Sequence, residues 1–387
     1  MNKRVYFDNA ATTRLDPRVL DVMVNYSENH YGNASSLHTF GTLAKESLDK
    51  ARATIATSIG AYPDEIYFTS SGTESNNLAL KGIAFANRHL GKHIIVSAIE
   101  HDCILNTCKW LEEQGFYVSY VPVDNYGIVD VEHLAKLINQ QTILVSVMYA
   151  NNEIGTIEPV EEIGRLCKEK NIPFHSDACQ AFGKVTINVN HSNIDLLTVN
   201  AHKIYGPQGV GALFVRRGTN IISLLHGGGQ ESGLRSSTEN IAGILGFAKA
   251  TELCMKELES ESKRLTELRT KITDYLYSHY DFVYFNGHPE QRLPGLLSFN
   301  FSGLEGETIR LLLMLDEIGF AVSAGSACSS NDTTSSTSHV LQAIGLNPFE
   351  AKGSIRLSLG RFNTELEIES FTRSMNSVVR QLNPIFS

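Results

Sequence analysis

A chain of 387 residues, 42% of them hydrophobic and 19% charged, is long enough for two or three globular domains. Its formal net charge of −9 comes without a dense lysine or arginine run, which argues against nucleic acid as a partner. No apolar run approaches the roughly 18–20 residues that cross a bilayer, and Asp8 comes before any signal-like segment could develop, so we expect no membrane partner and a cytoplasmic location.

The first two-thirds of the chain alternate between predicted strands and helices. After a short strand-like piece at the N-terminus, strands are predicted at 65–69, 93–97, 117–121, 143–148, 174–176, 196–199 and 212–215. Helices are predicted at 43–59, 74–85 and 103–114, with further helical stretches between most later strands. Because the strands are short and almost continuously apolar, they predict a mostly parallel sheet covered by helices on both faces.

The pattern changes near Leu253, where leucines begin to recur at helical spacing among charged residues. This predicts one long amphipathic helix that links two domains. Beyond it the sequence predicts a strand at 296–301, a helix at 307–318, a strand at 354–359 and a final helix. We therefore predict a large α/β domain over residues 16–255 and a smaller α/β domain over 256–387, with residues 1–15 packing on the smaller one.

The chain has six cysteines and no Cys-x-x-Cys pair, so the sequence favours neither a disulfide framework nor a structural metal site. Most of them are typical of small buried hydrophobic residues. Cys328 differs because it stands in the segment 323–338, which consists almost wholly of small and polar residues. That composition is typical of a flexible loop.

A single lysine, Lys203, stands on the tight connection between the predicted strands at 196–199 and 212–215. A lysine at the edge of a core is partly desolvated, which lowers its pKa and makes it a candidate for Schiff-base chemistry. On these residues alone, a surface lysine that caps a hairpin remains an alternative.

Three more groups follow predicted strands, where ligands bind in parallel α/β sheets. The Ser/Thr-rich turn at 70–75 opens a helix and suits a phosphate, although such residues also serve as ordinary helix caps. His101 can stack on a flat ring or relay protons, or it can be structural. Asp177, with Gln180 one turn further on, is an inward-facing carboxylate that requires a cationic partner. A phosphate, a flat ring, a protonated ring nitrogen and an aldehyde for Lys203 together describe pyridoxal 5'-phosphate.

The chain resembles the cysteine desulfurases in the NifS/IscS-like branch of the class V pyridoxal-phosphate aminotransferase family. The motifs that carry the resemblance run in one order along nearly the whole chain: Asp8–Thr13, Gly32–His38, Thr73–Asn77, Glu100-His101, Ala150–Gly155, Asp177 with Gln180, His202–Pro207, Gly227–Glu231, Gly325–Cys328 and Ile355–Arg361. The resemblance implies the aminotransferase fold type I, with a large domain built on a mostly parallel mixed sheet and a smaller α/β C-terminal domain.

The resemblance also implies roles for individual residues. Lys203 forms the Schiff base and takes the Cα proton, His101 stacks on the ring and assists proton transfer, and Asp177 keeps the ring nitrogen protonated. Gln180 and Asn152 position the ring oxygen and the substrate. The phosphate is held by Gly72, Thr73, Asn200 and His202, joined by Thr238 across a homodimer interface. Arg356, with Asn33 nearby, binds the substrate carboxylate.

Cys328 is then the implied nucleophile. Its thiolate attacks the sulfur of L-cysteine, which leaves a persulfide on Cys328 and L-alanine as product. The sulfur passes to an acceptor or iron–sulfur scaffold protein. An idle free cysteine, a selenocysteine lyase or aminotransferase on the same scaffold, and a scaffold protein without cofactor are the alternatives. The sequence departs from the family pattern at Asn200, usually serine, at Ala34, usually proline, and in a longer Cys328 loop, which puts the sulfur acceptor in doubt.

Overall fold

The computed structural model describes residues 4–325 and 337–382. Eleven helices in this part of the chain are long enough to label. They are α1 Pro17–Asn29, α2 Thr39–Ser58, α3 Gly72–Asn87, α4 Asp102–Glu113, α5 Val131–Leu137, α6 Val160–Glu169, α7 Ile241–His279, α8 Thr308–Glu317, α9 His339–Ala343, α10 Pro348–Lys352 and α11 Glu365–Leu382. No helix of the described ranges has the length and apolar character to span a membrane.

The strands form one large sheet and two small ones. They are β1 Val5–Tyr6, β2 Ile66–Thr69, β3 His93–Ser97, β4 Tyr117–Val121, β5 Thr142–Ser146, β6 Phe174–Asp177, β7 Leu196–Asn200, β8 Gly211–Val215, β9 Val283–Asn286, β10 Leu296–Phe301, β11 Phe320–Ala321, β12 Ser323–Ala324 and β13 Ile355–Ser358.

The large sheet has seven strands in the order β2-β8-β7-β6-β5-β3-β4. Only β8 runs antiparallel to its neighbours, and the other pairs in the order are parallel. Every residue of β3, β5, β6, β7 and β8 is buried. This burial matches the near-continuous apolar sequence of these strands, because helices cover both faces of a parallel sheet. The predicted mostly parallel sheet is therefore present.

A second core lies around the four-stranded antiparallel sheet β12-β13-β10-β9. Side chains from α7, β10, β13 and α11 meet in this core, and Phe7 from the N-terminal segment is fully buried within it. Next to Phe7, β1 pairs in parallel with β11. The N-terminal segment thus packs against C-terminal residues.

Helix α7 joins the two regions. It has 39 residues, about 60 Å at the usual rise, and packs against α1 and α2 near its N-terminus and against the second core near its C-terminus. The helix starts at Ile241, twelve residues before the point at which the sequence pattern changes. Because α7 runs through residue 255, the predicted domain boundary falls inside a continuous helix, and the division stays a prediction.

Candidate active site

A cavity opens where β3, β5, β6 and β7 end, and its space of about 840 Å³ is partly open to solvent. Ten of the residues predicted from the sequence line this one cavity: Gly72, Thr73, His101, Asn152, Asp177, Gln180, Asn200, His202, Lys203 and Arg356. They come from six segments of the chain, so the fold has brought them together.

The N-terminus of α3 forms one wall. Ser71 caps the helix by accepting a hydrogen bond from the backbone N–H of Glu74, and Gly72 and Thr73 begin the first turn. The first N–H groups of a helix have no partner within the helix and carry its positive end. A Cβ added to Gly72 would lie 2.5 Å from Cys179 Sγ, so only glycine fits this wall. The wall suits an anionic group.

The carboxylate of Asp177 stands at the last residue of β6. Its Oδ1 accepts a hydrogen bond from the backbone N–H of Cys179 at 2.9 Å, and its Oδ2 accepts one from Asn76 Nδ2 at 2.6 Å. Asp177 is only 6% exposed, and two donors on separate elements fix its orientation. A carboxylate held in this way is suited to a protonated ring nitrogen.

Lys203 lies on the connection between β7 and β8, as predicted. Its Nζ donates a hydrogen bond to the carbonyl oxygen of Ala10. The same carbonyl accepts from Gln180 Nε2 at 2.9 Å, so one backbone oxygen of the N-terminal segment aligns two side chains of the site. The connection is tight enough that Tyr205 adopts a left-handed backbone with φ +67°, and its N–H donates to Thr13 Oγ1 at 2.7 Å.

Two histidines face the cavity. His101 caps α4, and its Nδ1 accepts a hydrogen bond from the backbone N–H of Cys103 at 3.1 Å. Because Nδ1 is an acceptor here, the neutral ring carries its proton on Nε2. Burial lowers the pKa of His202 to about 4, and the neighbouring Lys203 contributes in the same direction. His202 is therefore neutral at physiological pH.

Arg356 is 1% exposed and bridges the two regions of the molecule. One guanidinium nitrogen donates to the carbonyl oxygen of Asn152 at 3.1 Å, and another donates to Asp8 Oδ1 at 2.9 Å. Its buried Nε has no hydrogen-bond partner among the described residues. An unpaired N–H on a buried cation costs free energy, and a carboxylate ligand would satisfy it.

Cys103 and Cys179 also line the cavity. Burial raises the pKa of the Cys103 thiol to about 12 and that of Cys179 well above its ordinary value, with Asp177 adding to both. Both thiols therefore stay protonated and are poor nucleophiles. Neither thiol is therefore suited to the nucleophilic role predicted for Cys328, which lies outside the described residues.

Two predicted site residues do not line this cavity. Asn33 is exposed, and its Oδ1 accepts a hydrogen bond from the backbone N–H of Ser35 at 2.9 Å. Thr238 lines a separate cavity beside Glu231 and Arg235. The single chain brings neither residue to Lys203.

The structure adds three positions that received no role from the sequence. Asn76 orients Asp177, Asp8 pairs with Arg356, and the Ala10 carbonyl accepts from Lys203 and Gln180. Asp8, Ala10 and Asn76 lie in motifs that carried the family resemblance, which was the one available signal. Their contacts span up to 348 positions, so spacing could not reveal them.

The chain belongs to the class-V aminotransferase family, whose model, Aminotransferase class-V, matches residues 5–371. Curated relatives named Cysteine desulfurase IscS are similar over almost the full length. The one from Clostridium botulinum is 49% identical over 383 residues, covering 98% of this chain and 96% of its own. The one from Methanosarcina thermophila is 48% identical over 381 residues, covering 98% and 93%.

Solved structures agree with this placement. A NifS-like protein superimposes with a TM-score of 0.91 at 40% identity, covering 98% of this chain and 100% of its own. A structure described as SspA in complex with cysteine gives a TM-score of 0.82 at 36% identity, covering 93% and 99%. The family and the fold type I architecture predicted from the sequence are confirmed.

The cofactor of this family is pyridoxal 5'-phosphate, and the cavity fits it. The wall at Gly72 suits the phosphate, and Asn200, which also lines the cavity, places its donor Nδ2 beside this wall. Asp177 suits the ring nitrogen and Lys203 the aldehyde. The predicted cofactor is confirmed at the level of the family.

Proposed function

We propose that this chain is a pyridoxal-phosphate-dependent cysteine desulfurase that converts L-cysteine to L-alanine and collects the sulfur on Cys328. The observation that carries the proposal is the arrangement of Lys203, Asp177 and the α3 N-terminus around one cavity, with Arg356 at its edge. The names of the relatives support the same activity, and they do not favour a selenocysteine lyase or an aminotransferase.

The cofactor, when bound, supplies an aldehyde that links to amines and a ring that accepts electrons from a deprotonated Cα. Gly72, Thr73, Asn200 and His202 would hold its phosphate. Asp177 would hold a proton on the ring nitrogen, with Asn76 and the Cys179 N–H fixing the carboxylate.

Proton transfer falls to two residues of the cavity. Lys203 Nζ is the base for the substrate Cα proton, and the Ala10 carbonyl holds this amine in position. The neutral ring of His101 carries its proton on Nε2, since Nδ1 accepts from the backbone, so His101 would donate at Nε2 and stack on the bound cofactor.

Arg356 binds the carboxylate of L-cysteine in this proposal. Its guanidinium is held by Asn152 and Asp8, and its Nε has a free N–H among the described residues. One structural neighbour, SspA, is described in complex with cysteine, which supports L-cysteine as the substrate. Asn33 stays a candidate second contact to this carboxylate.

The sulfur step balances without an external oxidant. The Cys328 thiolate attacks the substrate sulfur, a new S–S bond forms and the substrate C–S bond breaks. The bonding electrons go to the former Cβ, which gains a proton and becomes the methyl group of L-alanine. We propose that an acceptor or iron–sulfur scaffold protein in the cytoplasm then takes the sulfur from Cys328.

A homodimer completes the proposed site. Residues 31–40, which form a loop and the first residues of α2, expose large apolar side chains. Tyr31 is 71% exposed, Leu37 100% and Phe40 49%. Beside this segment, Ile241 at the start of α7 packs with Tyr26. Thr238 lies three residues before Ile241, so a partner chain seated on this face would bring Thr238 close to another protomer. We propose that it reaches the partner's phosphate.

The decisive test of the activity is the variant Cys328→Ser, assayed for L-alanine released from L-cysteine. We expect loss of sulfur transfer while the cofactor stays bound, because Cys328 does not hold it. Cys167→Ala, a change at a buried cysteine in the main core, is the matched control and keeps its activity. Turnover at the wild-type rate in Cys328→Ser contradicts persulfide catalysis.

A further inference from the structure

Lys184 stands behind the proposed cofactor site and has no role in the function described so far. It follows β6 by seven residues, and its Nζ donates a hydrogen bond to Gln180 Oε1 at 3.0 Å. Lys184 does not line the cofactor cavity. It lines a second cavity, between α7 and the C-terminal strands, which also contains Lys203 and Arg361. Lys184 thus contacts Gln180 without lining the cofactor cavity.

The contacts of Gln180 leave its amide one orientation. In its ammonium form Lys184 can only donate, so the atom that then faces it must be the oxygen. The Ala10 carbonyl can only accept, so the atom that faces it must be the nitrogen, and that distance is 2.9 Å. Rotating the amide by half a turn would place a donor against a donor and an acceptor against an acceptor.

The fixed orientation has a consequence for the ligand. Gln180 lines the cofactor cavity, and its Nε2 carries two hydrogens, of which the Ala10 carbonyl takes one. The second hydrogen remains as a donor for an oxygen of the ligand. Without Lys184, only the Ala10 contact would hold the amide, and a free Gln180 could present its carbonyl oxygen to a ligand oxygen instead.

We propose that Lys184 is a positioning residue, which holds the Gln180 amide so that its nitrogen donates to the oxygen substituent of the pyridoxal ring. This inference rests on the proposed function, because it requires the cofactor in the cavity next to Lys203. Lys184 makes a hydrogen bond to Gln180 and does not line the cofactor cavity, so the proposed effect on the oxygen substituent passes through Gln180.

The surroundings of Lys184 support this role over a packing role. Burial lowers the pKa of Lys184 to about 7, and Lys203 contributes in the same direction. If Lys184 only filled space, an apolar side chain could fill the same space without the free-energy cost of removing an ammonium group from water. Among the described residues, the one hydrogen bond resolved for the Lys184 side chain is the bond to Gln180.

The test is a double-mutant cycle on the purified holoenzyme, with pyridoxal phosphate as the probe. The four proteins are the wild type, Lys184→Met, Gln180→Ala and the combination. Two quantities are measured: the dissociation constant of pyridoxal phosphate and the absorption maximum of the bound cofactor. We expect Lys184→Met to weaken binding about ten-fold, which corresponds to one hydrogen bond, and to shift the absorption maximum as Gln180→Ala does.

The cycle separates positioning from packing. If Lys184 acts through Gln180, Lys184→Met has no further effect once Gln180 is alanine. Equal losses in both backgrounds would overturn the inference. Lys184→Arg keeps an obligate donor, and the second cavity has room for it, so binding and absorption stay close to wild type.

A second variant keeps the test conclusive if Lys184→Met does not fold. Lys184→Gln covers the case in which the methionine variant does not fold, because it is polar and of similar length but can present either end of its amide. It should lose affinity as the methionine variant does, and unchanged affinity would overturn the inference. A wild-type protein that binds no pyridoxal phosphate contradicts the proposed function itself, whereas an additive cycle contradicts only the role of Lys184.

Discussion

The guanidinium of Arg356 illustrates how the site is prepared at the scale of single residues. A fully buried cation without a counter-charge is costly, and Asp8 supplies that charge at 2.9 Å from the N-terminal segment. Asn152 holds a second nitrogen through its carbonyl, and Nε has no hydrogen-bond partner among the described residues. The planar fork of arginine therefore makes two protein contacts that fix its orientation at the wall of the cavity.

Replacing Arg356 by lysine tests this interpretation. A lysine keeps the charge but lacks the fork, so we expect the KM for L-cysteine to rise about ten-fold or more, while pyridoxal phosphate remains bound. Steady-state kinetics and the absorption of the bound cofactor give both values. Arg292→Lys is the control, because Arg292 is also buried but donates to the Ile154 and Leu296 carbonyls outside the cavity. An unchanged KM in Arg356→Lys would contradict the assignment.

Glu100 makes stability depend on pH. Its Oε1 accepts hydrogen bonds from Ser97 Oγ and the Met148 N–H, and its buried Oε2 has no partner among the described residues. Burial raises the pKa of Glu100 from 4.5 to about 8. Between these values the folded chain binds a proton that the unfolded chain has lost. The contribution of Glu100 to the free energy of unfolding therefore falls as pH rises through this window.

We predict that Glu100→Gln removes this pH dependence, because glutamine keeps the acceptor oxygen and does not ionise. Between pH of about 5 and 8, the stability of the wild type relative to the variant should fall by about 1–3 kcal/mol. Urea unfolding at the two pH values measures it. Glu113→Gln, at an exposed position on α4, controls for a general charge effect. A constant difference would show that Glu100 does not carry a raised pKa.

At the scale of elements, the start of α3 is the tightest part of the site. Gly72 packs against Cys179, which follows β6. The first turn of α3 and the end of β6 are therefore so close that only the Cys179 side chain lies between them. Gly72→Ala should weaken the binding of pyridoxal phosphate about ten-fold, because the added methyl group overpacks this contact and displaces the first turn. Cofactor titration of the purified variant measures the loss.

A second substitution should restore the affinity. Cys179→Ala removes the sulfur that the new methyl group meets, so the Gly72→Ala/Cys179→Ala protein is expected to bind the cofactor nearly as the wild type does. Gly306→Ala, at a position where no atom lies within 4 Å of an added Cβ, is the neutral control. A double variant no better than Gly72→Ala would show that the methyl group itself blocks the phosphate.

The sequence predicted most elements of the large sheet because their apolar runs are short and bounded by polar turns. Strands β3 and β4 match their predicted limits. Helix α1 was not predicted. Its signal is local, since Asp16 caps it and Pro17 occupies its first position. Strand β1 falls in the short strand-like piece predicted at the N-terminus, whereas the two-residue strands β11 and β12 were not predicted, because pairing partners distant in sequence define them.

In the candidate site, too, contacts between residues distant in sequence could not be predicted. Residue type and position after a strand indicated Lys203, Asp177 and His101, because in a parallel sheet the strand ends converge. Asn76 and Lys184 could not be found in this way. Each acts by orienting another side chain, Asp177 and Gln180 respectively, and such contacts depend on atomic geometry that no spacing encodes.

At the scale of the whole molecule, the exposed apolar side chains near Leu37 require a covering surface, which we proposed to be a second copy of the chain. Leu37→Asp should then convert dimers to monomers, because it places a charge at a fully exposed apolar position of that face. Light scattering combined with size exclusion measures the mass. Leu90→Asp, at another exposed leucine 62% accessible, should leave the dimer intact. A monomeric wild type contradicts the proposal.

The central claim is that Lys203 and Cys328 act on one substrate molecule. Mass spectrometry of the peptide that contains Cys328, after brief exposure of the holoenzyme to L-cysteine, tests it most directly. We predict that this peptide gains one sulfur atom in the wild type and none in Lys203→Ala, with no reducible sulfur added at the half-buried Cys103 or Cys179. L-alanine release from the wild type without any sulfur on Cys328 would contradict it.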